Sequence, residues 1–226
     1  MSLKPVKYSE RQKEQSRLQA KMEKRKKDNN IALLPPYMYI ISEGTKTEPY
    51  YIESLAQRIN KKYFDYTSGN RIKILGTGRN TQSLLDYGRK IVEKDFPQAE
   101  EVWLMYDKDD FPEDNFDNTQ YSAEGRKDAR KYHAIWSNES FELWLLLHFQ
   151  DVTANIGRAA YIERLKSYIP DYEKRKKGVY DILEDKTAEA IKRAKKQDET
   201  YGNLPPSQRC PATRVYRMVE ELQKFL

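Results

Sequence analysis

Short apolar segments that each run into a polar loop and then a helix, repeated along the first half of the chain, limit the fold more than any other feature. Tyr37-Met38-Tyr39-Ile40-Ile41 is a run of aromatic and β-branched residues, the make-up of a buried strand. Ser42-Glu43-Gly44-Thr45-Lys46-Thr47-Glu48-Pro49 then leads into a helix. Pro49 suits a first helical turn, where its missing N–H is no loss, and Tyr51, Leu55 and Ile59 recur at fourfold spacing on one face. Residues 71–75 predict a second strand. Gly76-Thr77-Gly78-Arg79-Asn80-Thr81 follows, and the next helix carries Leu84, Leu85, Tyr87, Ile91 and Val92 on its inner side, with Asn80 or Thr81 as its cap. A third strand is expected at 102–106, a helical stretch from about Ser122, and a fourth strand at 133–136. This alternation predicts an α/β fold with a mainly parallel, doubly wound sheet.

The second half reads as helical. Residues 138–149 are apolar nearly all round, which predicts an interior helix. Further helices are expected near 158–168, 179–197 and 213–225, the last capped by Thr213, with a rigid polar loop at 201–206.

Charge divides the chain differently. The first 28 residues hold ten Lys or Arg against four acids, whereas the rest carries 31 of each sign. With the boundary signal Leu33-Leu34-Pro35-Pro36, this predicts a basic N-terminal arm over residues 1–34 and one domain over 35–226. The arm, and Lys24, Arg25, Lys26 and Lys27 within it, reads either as a solvated tail or as a contact to nucleic-acid phosphates. No run of about eighteen apolar residues exists, and the basic N-terminus lacks a secretory apolar stretch, so a cytoplasmic protein without membrane association is expected. Cys210, alone, excludes an internal disulfide, and one Cys with two His falls short of a structural zinc site.

Acids stand where such a sheet binds ligands, at the carboxyl ends of strands. Glu43 follows the first predicted strand, Asp107 follows the third, and Asp109 lies two residues on. In extended backbone the two aspartates would point to the same side. Hard oxygen donors without nearby His or Cys suit Mg²⁺ or Mn²⁺. Glu142 is an acid in an otherwise apolar helix and is either a fourth site acid or a first-turn carboxylate held by the helix dipole. His148 is a proton shuttle or a hydrogen-bonded core residue. Residues 76–80, with Arg79, form a phosphate cradle or an ordinary turn, and Arg175, Lys176 and Lys177 supply a transition-state cation or a solvated charge run.

Three blocks carry a resemblance: residues 39–48, Met105-Tyr106-Asp107-Lys108-Asp109, and residues 137–149. Together they resemble the RloB-like family of Toprim-type, restriction-linked and abortive-infection proteins, over about residues 37–226. The resemblance implies a Toprim-like fold with additional C-terminal helices and metal-dependent nuclease chemistry. It casts Glu43 as general acid or base and Asp107 and Asp109 as metal ligands, with Glu43 counted among the metal residues as well; the residue reading adds Glu142 as a catalytic candidate, and Lys177 joins it by its place in a family-like segment. Lys46 and Arg79 join the arm lysines as nucleic-acid contacts. An ABC-type ATPase encoded nearby is the implied partner, with cutting of DNA or RNA during anti-phage defence the implied task. The competing expectation is a non-catalytic nucleic-acid-binding or scaffold subunit of that ATPase, to which the 17 tyrosines would lend stacking surfaces.

Overall fold

A computed structural model describes residues 13, 16–17, 34–67, 69–79, 81–109, 113–127, 129–174 and 176–226. The chain divides into two units, Met1–Leu34 and Pro35–Leu226. Lys24, Arg25, Lys26 and Lys27 of the basic arm, and Asn80 and Arg175, lie outside the described residues.

The second unit is built on a five-stranded sheet: β1 (Met38–Ser42), β2 (Ile72–Gly76), β3 (Glu101–Asp107), β4 (Lys131–Asn138) and β5 (Ala212–Thr213). Their spatial order is β2-β1-β3-β4-β5, and all neighbours are parallel except β4 with β5. Helix α1 (Thr47–Tyr63) joins β1 to β2, α2 (Thr81–Asp95) joins β2 to β3, and α3 (Glu113–Glu124) joins β3 to β4. The chain thus leaves β1 on one side, returns past it and continues from β3 on the other. Strands β1 and β3 are neighbours at the point where the winding reverses, which opens a crevice at their carboxyl ends.

Strand alternation explains the core. Tyr39, Ile41, Val102, Leu104, Tyr106, Ala134 and Trp136 cluster with Leu84, Leu85 and Val92 of α2 and Phe116 and Ala123 of α3. The intervening Met38, Ile40, Met105 and Ile135 are equally buried and face the other way, where α1, α4 (Glu142–Leu147) and α8 (Val215–Gln223) meet the sheet. Near-continuous apolar strands are what a sheet covered on both faces requires. The helical remainder adds α5 (Gly157–Tyr168), α6 (Val179–Leu183) and α7 (Thr187–Tyr201). The carboxylate of Asp198 on α7 accepts from Arg209, Tyr216 and Arg217, tying the segments around β5 and α8 together.

Several boundaries depart from the sequence reading. The helix expected from about Ser122 already includes Glu113, and the fourth strand is longer than 133–136. Asn138, expected to open a helix, ends β4 because it and Ser137 pair with Ala212 and Thr213, partners more than seventy residues away. The apolar helix consequently shortens to α4. Residues 179–197 are split by a 3₁₀ turn at Glu184–Lys186. Thr213 sits in β5 and still accepts the N–H of Val215 at 3.3 Å. No helix among the described residues is long and apolar enough to cross a membrane.

Candidate active site

Register brings the first two acids together. Ser42 pairs with Met105, and the N–H of Glu43 donates to the Met105 carbonyl at 2.8 Å, so Glu43 leaves β1 beside the end of β3. The loop after β2 closes over it: Thr77 and Gly78 donate their N–H groups to the carbonyls of Ser42 and Glu43 at 2.9 and 2.8 Å. Thr81, fully buried at the start of α2, donates its hydroxyl to Glu43 Oε2 at 3.0 Å. It therefore serves the acid from the first residue of its helix. Burial raises the Glu43 carboxyl to about 7, against the opposing hydrogen bonds from Thr81 and the backbone of Asp107.

Asp107 closes β3, and its Oδ2 accepts the N–H of Phe141 at 3.1 Å, at the threshold of α4. Burial, then the charges of Glu48 and Glu142, push its carboxyl well above the usual range. Asp109 is not in extended backbone. Its φ is 41°, a left-handed conformation that costs a non-glycine residue energy. The two aspartates are nonetheless brought to one cation: Arg158 pairs with Asp109 and stands 3.6 Å from Asp107.

Glu43, Gly44, Lys46, Glu48, Asp107, Asp109, Phe141, Glu142, Arg158 and Lys174 are among the residues lining one cavity of about 200 Å³. One water takes about 30 Å³ of liquid, so several small groups fit. Glu142 occupies the first turn of α4 and also faces this cavity. Its side chain is 4% exposed and lies 3.4 Å from Lys174 Nζ.

Three lining residues escaped the sequence reading. Glu48 belongs to the inner face of α1, three residues before Tyr51, and that spacing was a readable signal. Its carboxylate lies so close to Gly44 that a Cβ there would collide with it. Burial raises its pKa, and the charge of Glu142 adds to the rise. Lys174 immediately precedes the basic run 175–177. Arg158, far away in sequence, carried no signal at all.

Other expectations fall elsewhere. Lys177 does not line the cavity; its ammonium sits 5.0 Å from the Tyr50 ring centroid. Arg79 is exposed, its guanidinium 3.9 Å from the Tyr87 ring centroid. His148 is buried among Tyr51 and Trp144, and burial lowers its pKa to about 4. Nδ1 is 3.0 Å from the Trp144 carbonyl, which can only accept, so Nδ1 holds the proton and Nε2 accepts from the Tyr51 hydroxyl at 3.4 Å. That arrangement belongs to a core histidine. Cys210, raised to about 11 by burial, is a poor nucleophile.

The donor chemistry fits a hard divalent cation. Five carboxylates line the cavity against the three cations Lys46, Arg158 and Lys174, and burial and mutual repulsion make charging Glu48 and Asp107 costly. The present placement is not a finished cage. Among the described residues no group of three or more His, Cys, Asp or Glu is arranged to hold a metal, and Arg158 occupies the space beside both aspartates.

An α/β protein with a mainly parallel sheet and an acidic cavity at its switch point is thus defined. The chain belongs to the RloB-like family, whose model, described as RloB-like protein, matches residues 38–222. No curated protein and no solved structure matched.

Proposed function

We propose that this chain is a Mg²⁺- or Mn²⁺-dependent nuclease that hydrolyses phosphodiester bonds of DNA or RNA. In this reading it acts as an effector of bacterial anti-phage defence beside an ABC-type ATPase. The observation that carries it is the excess of carboxylates over cations in one cavity at the sheet's switch point, Glu142 buried and the other four half-buried, within a member of the RloB-like family. Asp107 and Asp109, with Glu43 or Glu48 alongside, would hold the cation. A divalent ion bound there supplies charge compensation for the phosphate and activation of water. Glu43, whose carboxyl burial raises to about 7 in the metal-free site, is the general acid or base for the attacking water or the leaving oxygen. Thr81 fixes its orientation. Lys174 and Lys46 line the cavity as counter-charges for the nucleic-acid backbone, while Lys177 and Arg79 lie further out as secondary contacts.

Cleavage of single- and double-stranded DNA and of RNA by the purified chain, in either metal and with or without the ATPase, tests the reading. Glu43→Ala and Asp107→Ala should each lower the rate by at least about a hundredfold, the scale of one general acid–base or electrostatic contribution. Equal cutting by both variants, or no cutting of any substrate, sinks it. One observation favours a second reading, a scaffold or nucleic-acid-binding subunit: Arg158 already neutralises the aspartates. Carboxylate-dependent metal uptake is not expected of a scaffold.

A further inference from the structure

Arg158 reaches across the fold to the acids that the proposed reaction needs for its cation. Its Nη2 pairs with Asp109 Oδ1 and lies 3.6 Å from Asp107 Oδ2. Its donors are not all used. Nε is buried without a hydrogen-bond partner, the side chain as a whole is 36% exposed, and the residue lines the same cavity. A guanidinium fork has five N–H donors matched to carboxylate and to phosphate alike.

The backbone of Arg158 is anchored independently of this ion pair. Its N–H donates to Glu139 Oε2 at 3.2 Å, Asn155 Nδ2 donates to Glu139 Oε1 at 2.9 Å, and the N–H of Gly157 donates to Asn155 Oδ1 at 2.9 Å. The Glu139 carbonyl in turn accepts the N–H of Asp109 at 3.3 Å. Glu139 therefore pins the first turn of α5 to the loop bearing the aspartates. The guanidinium can leave Asp107 and Asp109 while the helix start stays in place.

A divalent cation and Arg158 compete for the same carboxylate oxygens, and two cations this close repel in a cavity of reduced dielectric. The geometry points to Arg158 as a displaceable counter-ion. It neutralises Asp107 and Asp109 in the free site, and its guanidinium turns onto a phosphate oxygen of the nucleic acid when a divalent cation takes the aspartates. This rests on the nuclease reading above. It has a consequence of its own: metal and Arg158 oppose each other for the aspartates, whereas metal and phosphate reinforce each other, and linkage makes that coupling reciprocal. Glu139 is then a positioning residue that holds the arginine within reach of both partners.

Calorimetric titration of Mn²⁺ into the full-length chain, without nucleic acid, separates the possibilities. Arg158→Gln keeps the stem but removes the charge and should bind Mn²⁺ roughly five- to tenfold more tightly than wild type. The same variant should lose binding of inorganic phosphate in the presence of Mn²⁺. Arg158→Lys keeps the charge without the fork and should bind Mn²⁺ as wild type does, with weakened phosphate binding; it also guards against misfolding of the first variant. Thermal melts of both check integrity. If Arg158→Gln binds Mn²⁺ no more tightly while Asp107→Asn abolishes uptake, the counter-ion role is wrong and the metal site stands. If wild-type uptake is indifferent to Asp107→Asn, the nuclease reading falls and this inference with it.

Discussion

Glu43 concentrates the chemistry of the site in one titration. Its carboxyl is raised from the ordinary 4.5 to about 7, chiefly by burial. Between those values the metal-free folded protein holds a proton that the unfolded chain has released, so stability falls as pH rises through this window and stays reduced above it. The full shift would correspond to about 3 kcal/mol, and partial exposure to solvent reduces this to about 1–2 kcal/mol. Glu43→Gln cannot ionise and keeps an oxygen for the Thr81 hydroxyl. It should therefore be more stable than wild type by about 1–2 kcal/mol at pH 8, the gain disappearing near pH 4.5. Urea melts of the metal-free proteins at the two pH values measure this, and equal stability at pH 8 would show that burial does not strain the acid. Legibility at this scale was uneven. Glu43 and the Asp107–Asp109 pair could be read because each follows an apolar strand directly. Glu48 fell on a visible helical stripe but resembled an ordinary first-turn acid. Arg158 could not be read, because an arginine's partner across the fold is set by tertiary packing alone.

At the scale of elements, the site depends on how tightly two loops stack at the carboxyl ends of β1 and β2. A Cβ at Gly76 would stand 2.8 Å from the Gly44 carbonyl oxygen and 2.8 Å from Thr45 Cα. Both are backbone atoms of the loop that carries Glu43, so nothing soft can yield. Gly76→Ala should displace that loop, costing about 1–3 kcal/mol of stability, as overpacking does, and lowering the proposed nuclease turnover by about a hundredfold, the cost of a small misplacement of reacting groups. Full turnover in a variant that melts normally would mean that the loop's position is not critical. Elements were legible wherever their cause was local. The apolar β1 and β3 and the amphipathic α1 and α2 follow from composition and spacing. The end of β4 did not, because Ser137 and Asn138 become strand by pairing with Thr213 and Ala212 and by the Asn138 amide donating to Ser207 O at 2.9 Å. Local sequence carries no record of such distant partners. For the same reason the partner of the Thr81 hydroxyl could not be read: it is a carboxylate 38 positions away.

At the scale of the whole molecule, charge and site pull in opposite directions. The residues after position 28 carry equal numbers of each sign, and the cavity at their heart is rich in carboxylates. A polyanion approaching such a body meets no long-range attraction from net charge. The surplus of six positive charges lies within the first 28 residues, ahead of the span 38–222 that defines the family. If this segment gathers nucleic acid, its contribution is counterion release, which weakens as salt rises, whereas binding within the cavity is set by geometry. Deleting residues 1–30 removes most of the unit Met1–Leu34 and none of the unit that carries the cavity. Affinity for a single-stranded oligonucleotide at low salt should drop at least about tenfold, and the slope of log affinity against log salt should flatten by about 0.7 for each phosphate that the arm no longer neutralises. Turnover at saturating substrate should survive, since Glu43, Asp107 and Asp109 remain. Fluorescence anisotropy across a salt series, paired with cleavage at saturation, reads both quantities on one preparation. An unchanged slope would move the electrostatic recognition back to Lys46, Lys174 and Arg158 inside the cavity, and the basic segment would then be a solvated tail.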